Sequence, residues 1–262
     1  MSDEVRISDR DGVRCIELCR PRSKNGLTLD TNQAIIDALG EASEREELRA
    51  VILTGAEGNF CSGLDLKDAL KRGPQTPATM AENLDRYFHG LIRAIAGSPL
   101  PTIAAIDGVA VGFGADLALA CDIRLMSEGA RFGEIFVRRG LMPDGGSTYH
   151  LSRLIGVGRA LELMLTGDII DAETALRMGL CNHVYPAAEL SEQAWSLAAR
   201  IAKGPPIAQR HIKACVRASM HGTLDEALAR EREGQVECLQ SRDFAEGVTA
   251  FFTKREPEFS GK

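Results

Sequence analysis

Pro101–Leu125, PTIAAIDGVAVGFGADLALACDIRL, decides how the rest of the chain is read. Thr102–Ile106 is an apolar run of strand length, Asp107-Gly108 is a turn, and Val109–Val111 leads into Gly112-Phe113-Gly114. From Ala115 the pattern changes to small apolar residues around Asp116, which predicts a helix ending near Cys121. A glycine ahead of a helix start leaves a backbone N–H unobstructed and backed by the positive end of the helix dipole, where it can stabilise an anion. The other reading of these residues is a tight strand-to-helix connection in which glycine serves packing alone.

On either side the chain alternates. Val5–Ser8 and Val13–Leu18 form a hairpin about Asp11-Gly12, Thr28 or Asp30 caps a helix to about Arg45, and Ala50–Thr54 is a short buried strand closed by Gly55. Asn59–Asp65, NFCSGLD, is a second glycine-bearing loop, followed by helical Leu66–Lys71. Arg72–Thr79, RGPQTPAT, is expected to be a flexible loop before a helix over Ala81–Ala96. Downstream, Ile123–Met126 is strand-like, and Phe132–Val137 leads to a third glycine-rich loop, Arg139–Tyr149, RGLMPDGGSTY. Leu151–Leu165 is helical, Gly167–Ile170 extended, and Ala172–Met178 helical with Asp171 as cap. From Ser191 to about Glu246 the pattern is helical, broken at Gly204-Pro205-Pro206.

This order predicts an α/β core over residues 1–200 and a helical module over 201–262. Val236, Leu239, Phe244, Phe251 and Phe252 in that module are suited to burial against another subunit.

Composition narrows the function. The 262 residues carry a formal net charge of −6, against the broad basic surface of a nucleic-acid binder. An anionic small molecule held by a few lysines is not excluded. There is no apolar run of membrane-spanning length, and the charged opening MSDEVRISDRDGV lacks the apolar core of a secretion signal. The seven cysteines form no C-x-x-C pair and read as reduced thiols of a cytoplasmic protein. The five histidines are scattered without ligand spacing, so no metal is expected. Gly112-Phe113-Gly114 runs on to Leu117 rather than a third glycine, against a dinucleotide fingerprint, and Gly145-Gly146-Ser147-Thr148-Tyr149 lacks the final glycine of a serine-hydrolase elbow. Ser147 then reads as a turn or helix-start residue.

Three glycine-containing loops remain, in order. FCSGLDLKD, IDGVAVGFGADLALACDIR, RGLMPDGGSTYHLSRLIGVGRALELMLTG and EGVTAFFTKREPEFSGK together resemble the enoyl-CoA hydratase/isomerase family, the crotonase superfamily. The resemblance covers nearly the whole chain. It implies an α/β spiral of ββα units with a C-terminal helical oligomerisation module, a homotrimer or dimer of trimers, and an acyl-CoA thioester substrate. Coenzyme A enters as part of that substrate, and no further cofactor is expected.

The resemblance also assigns roles. Two backbone N–H groups, matching Leu64 and Phe113, would hold the thioester oxygen as it becomes an enolate. Phe113 stands where many relatives have glycine, and Leu64 where alanine is frequent, which leaves the shape of the acyl group open. Of the two glutamates that hydratases use, the first aligns with Asp116 and the second with Phe136, which can do no proton chemistry. Asp144 falls where several isomerases of the superfamily, the ring-epoxide phenylacetyl-CoA isomerase among them, carry a catalytic aspartate; capping of the following helix is its other reading. Ser62, Gly63, Asp65, Leu66, Gly112 and Phe136 are expected around the substrate, with Lys24, Lys67 and Lys254 toward coenzyme A. The expected activity is double-bond isomerisation with Asp144 as acid/base and Asp116 as a second acid/base or structural partner. The alternatives are hydration using Asp116, a hydrolase or dehalogenase with Asp144 as nucleophile, and acyl-CoA binding without turnover.

Overall fold

The computed structural model describes residues 4–262, so Met1–Asp3 of the charged opening segment lie outside the described residues. Strands β1 (Val5–Arg10) and β2 (Val13–Leu18) pair antiparallel across Asp11-Gly12. From β2 onward each partner runs parallel, through β3 (Ala50–Gly55), β4 (Thr102–Ile106), β6 (Ile123–Ser127) and β9 (His183–Tyr185). The central strands β3 and β4 read as near-continuous apolar runs because both faces are covered. Every residue of β4 is buried. A smaller sheet, β5 (Val109–Val111), β7 (Arg131–Gly133) and β8 (Ile169–Asp171), stands beside it in the order β5-β7-β8.

Helices fill the crossovers. On one face of the large sheet lie α1 (Leu29–Glu44), α4 (Gly90–Gly97), α5 (Phe113–Ala120) and α6 (Ser147–Ile155), sharing the larger apolar core. On the other face α9 (Ala187–Ala202) lays Leu190, Ala194, Ala198 and Ala202 against Val13, Ile52, Ile103 and Leu125. Small residues at every fourth position bring this helix close to the sheet. Helix α5 is buried on all sides, Asp116 included, because it crosses the molecule's centre.

Helix α1 begins at Thr28 rather than Asp30. The Thr28 hydroxyl accepts from the Thr31 N–H at 3.1 Å and the Thr31 hydroxyl accepts from the Thr28 N–H at 2.8 Å, closing a reciprocal cap. Thr28→Ala is expected to cost about 1 kcal/mol and to lower the thermal midpoint by roughly 2–4 °C, measured by calorimetry.

The segment expected to be a flexible loop is shorter than anticipated. Helix α3 (Pro77–Asn83) starts inside it, because Pro77 occupies the first turn and the Thr76 hydroxyl accepts from the Thr79 N–H. A π-helical turn over Leu84–His89 joins α3 to α4, so residues 77–97 are continuously helical. The helix expected over Leu151–Leu165 is two, α6 and α7 (Val157–Thr166), separated at Gly156 by a backbone with φ 83°. After α8 (Ala172–Met178) and α9 come α10 (Pro206–Ser219), α11 (Leu224–Gln240) and α12 (Arg242–Thr253). Among the described residues no helix is long and apolar enough to cross a membrane.

Candidate active site

The three glycine-bearing loops meet at one cavity of about 160 Å³. The first two are laced together by backbone: the Cys61 N–H donates to the Val109 carbonyl at 2.9 Å, and the Val111 N–H donates to the Cys61 carbonyl at 3.1 Å. Gly114 sits so near this seam that a Cβ there would stand 2.2 Å from the Cys61 carbonyl oxygen. Gly112 turns the chain into α5 with φ 56° and ψ −132°, a conformation open to glycine and hostile to side chains. Its N–H donates to the Gly133 carbonyl at 2.9 Å, tying the turn to the end of β7.

Leu64 and Phe113 both line the cavity, and among the described residues neither N–H donates a hydrogen bond. Phe113 is the first residue of α5, so its N–H has no partner within the helix and carries the positive end of the dipole. Its ring packs edge-on against Phe88 with centroids 5.0 Å apart, forming part of the apolar wall. Phe136 supplies another part. Ser62, Gly63, Leu66 and Gly112 also face the cavity. The Ser62 hydroxyl donates to the Ser23 carbonyl at 2.7 Å, which anchors this loop.

Asp65 has structural work. Its carboxylate accepts from the Lys67 and Asp68 N–H groups at the start of α2 (Leu66–Lys71) and pairs with Arg20 at 2.9 Å. Burial pushes its pKa upward, but the Asp68 N–H and Arg20 outweigh it and hold the carboxyl below the ordinary range. Lys24, Lys67 and Lys254 are exposed and none lines the cavity. Lys24 contributes its carbonyl, which accepts from the Ser62 N–H at 3.0 Å.

Among the described residues, Asp144 is the one carboxyl on the cavity wall. It is partly buried, and that burial raises its pKa, with His89 pulling the other way. The helix after it is capped at Gly146, not at Asp144. Asp116 lies behind, fully buried; its Oδ1 accepts from the Ser147 N–H at 3.1 Å while Oδ2 has no partner. Burial pushes its pKa up to about 7, and the Asp144 charge adds to the effect.

Sequence reasoning missed Glu134. It is fully buried, and neither carboxyl oxygen has a hydrogen-bond partner. Burial and then the neighbouring Asp116 charge push its pKa well above the ordinary value. The signal was a lone acid inside the otherwise apolar stretch Phe132–Val137, two residues before the position compared with the hydratase glutamate. Among the described residues the acids do not converge as metal ligands would.

Two wider grooves, of about 470 and 730 Å³, run along α10 and α11. In the first, the carboxyl of Asp122 is paired with Lys213 at 2.7 Å and Arg217 at 2.6 Å. The second carries Glu231 on a wall formed by α10 and α11.

Such a site, two residues with unengaged N–H donors and a half-buried carboxyl lining one apolar cavity, can hold charge on an oxygen while a proton moves nearby. The comparisons with known proteins agree in class. The family model described as enoyl-CoA hydratase/isomerase matches residues 8–262. A probable enoyl-CoA hydratase of Rhodobacter capsulatus is 38% identical over 98% of both chains. The 1,2-epoxyphenylacetyl-CoA isomerase of Escherichia coli is 36% identical over 96% of both. The crystal structure of an enoyl-CoA hydratase from Bacillus anthracis superposes with a TM-score of 0.94 at 34% identity, over 99% of this chain and all of that one. The spiral fold anticipated from the sequence motifs is thus the fold of the molecule.

Proposed function

The chain belongs to the enoyl-CoA hydratase/isomerase family, and on that premise we propose that it shifts the double bond of an enoyl-CoA, with Asp144 carrying the proton. The observation that supports this reading is that Asp144 alone among the carboxyls lines the cavity, while Phe136 fills the place compared with a second hydratase acid. A 3-enoyl thioester loses its C2 proton to the Asp144 carboxylate. The C–H pair becomes the enolate double bond, and the thioester carbonyl pair moves onto oxygen, held by the Leu64 and Phe113 N–H groups. Each such donor is worth about 3 kcal/mol to the transition state. When the enolate collapses, C4 takes the proton back from Asp144 and the double bond lies at C2. No water enters the balance, and the apolar wall of Phe88, Phe113 and Phe136 suits its exclusion.

Hydration is the second reading, favoured by the names of relatives such as the Rhodobacter protein and the short-chain-enoyl-CoA hydratase of Clostridium acetobutylicum. Incubation of the protein with a 3-enoyl-CoA and, separately, with a 2-enoyl-CoA in deuterated water separates them. A 2-enoyl product of unchanged formula, apart from exchanged deuterium, from the 3-enoyl thioester supports isomerisation; product heavier by one water from the 2-enoyl thioester, with the 3-enoyl thioester left unchanged, supports hydration. Binding without turnover across an acyl-CoA series would overturn both.

The pH dependence has a definite sign. The base must be ionised, so kcat/KM falls as pH drops through the Asp144 pKa. Because burial raises that pKa, the acid limb is expected above the ordinary aspartate value of 3.8. A profile still flat at that value would place the proton on another group.

A further inference from the structure

The cavity where the loops meet runs from an open rim to a closed floor. At the rim Leu66 and Leu141 are 46% and 54% exposed, and Arg139 is exposed too. At the floor Phe88, Phe113 and Phe136 are 7%, 2% and 9% exposed, and all three belong to the larger apolar core. The Phe88 and Phe113 rings brace each other edge to face, with centroids 5.0 Å apart, a geometry that aromatic pairs favour. Phe88 comes from the π-helical turn, whose first residue, Leu84, also lines the cavity. A π-turn is rare and tends to mark a functional site. Here it puts a buried ring in the cavity wall.

Volume then limits what can enter. The cavity holds about 160 Å³, whereas pockets for drug-sized ligands run from about 300 Å³ upward. An apolar cavity of about 150 Å³ takes one benzene ring. The thioester oxygen has to reach the Leu64 and Phe113 N–H groups in that same space, so the acyl chain gets only part of it. The charged nucleotide of coenzyme A cannot be buried among phenyl rings; it stays outside the rim, and the acyl group takes the floor. We propose that the site selects a compact acyl group, of about six carbons, and that Phe88 sets where the chain must end. This rests on the reading above that the thioester sits at Leu64 and Phe113, and not on which group carries the proton. A longer chain has to displace rings set in a close-packed core. A merely structural role for Phe88 would tie it to stability and leave the preference among chain lengths unchanged.

Calorimetric titration with saturated acyl-CoAs reads the limit without turnover. Affinity is expected to rise about fourfold for each methylene from butanoyl- to hexanoyl-CoA. Decanoyl-CoA should bind at least about tenfold more weakly than hexanoyl-CoA. In Phe88→Ala the ratio should move toward the decanoyl thioester by at least about tenfold. Phe88→Leu, the milder change should that variant not fold, should move it by at least about threefold. Decanoyl-CoA binding the unmodified protein as tightly as hexanoyl-CoA overturns the proposal, and so does an unchanged ratio in a folded Phe88 variant. The reaction is judged separately. Tight hexanoyl-CoA binding without turnover of the six-carbon 3-enoyl thioester overturns isomerisation and leaves the size limit. Equal kcat/KM for six- and ten-carbon 3-enoyl thioesters overturns the size limit and leaves isomerisation.

Discussion

Replacing Asp144 with asparagine is expected to lower kcat by about 10³-fold, the middle of what one positioned acid/base contributes, while the dissociation constant for a saturated acyl-CoA changes by less than about threefold. The amide matches the carboxyl in shape and cannot take the C2 proton. Stability should hold or rise slightly. Folding raises the Asp144 pKa, so the folded chain holds this proton more tightly than the unfolded chain does. The ionised group therefore works against the fold above the unfolded pKa, and a neutral amide removes that penalty. Stopped-flow absorbance of the enoyl thioester and calorimetric binding give the two numbers. If the variant keeps a tenth or more of the activity, the proton is carried elsewhere.

Gly114→Ala should be among the most damaging single methyl groups in the chain. Its Cβ would lie 2.2 Å from the Cys61 carbonyl oxygen and 2.8 Å from the Cys61 Cβ, both parts of the seam joining the first two loops. Backbone cannot swing aside as a side-chain tip can. The strands must part, loosening the hydrogen bonds from Cys61 to Val109 and from Val111 to Cys61. A loss of about 3 kcal/mol is expected for such overpacking. The same displacement shifts the Phe113 N–H relative to that of Leu64, and a misplacement of about 1 Å can cost about 10²-fold in rate. Gly97→Ala at the end of α4 is the control, since nothing lies within 4 Å of its added methyl. Thermal melts and kcat on both variants check the claim; equal behaviour would mean the seam is more pliant than its geometry implies.

Much of the fold is legible in local pattern. Ala50–Gly55 and Thr102–Ile106 announce buried strands because a strand covered on both faces has no reason to alternate. Val13–Leu18 reads as one arm of a hairpin, which it is, and it also pairs parallel with Ala50–Gly55 on its other edge. The misreadings have local causes too. Pro77 reads as a loop residue until Thr76 is seen to cap it, since proline starts a helix as readily as it stops one. Helix α5 begins two residues before Ala115, because Phe113-Gly114 reads as a loop although both residues already have helical geometry.

At the site, order along the chain is enough to suggest that the loops act together, but not which side chains face inward. Leu64, Phe113, Phe136 and Asp144 do; Lys24, Lys67 and Lys254 do not. Lysines in loops are as often solvated as engaged, and spacing cannot tell the two apart. Glu134 escaped for the opposite reason. A buried acid without a partner has no motif, and its burial becomes visible only in the tertiary fold.

The two donors of the proposed reaction belong to the main chain, and this would make the device tolerant of genetic change. No codon substitution at position 64 or 113, save one to proline, can delete the N–H. In that reaction, random drift at those positions would alter the contour of the cavity while the donors that hold the charge go untouched. The stringent positions are the glycines beside them, whose side chains are absent for a reason. A lineage built on such a chain can try new substrates by swapping pocket side chains, and try new outcomes by relocating a single carboxyl, without rebuilding the part that makes the enolate accessible.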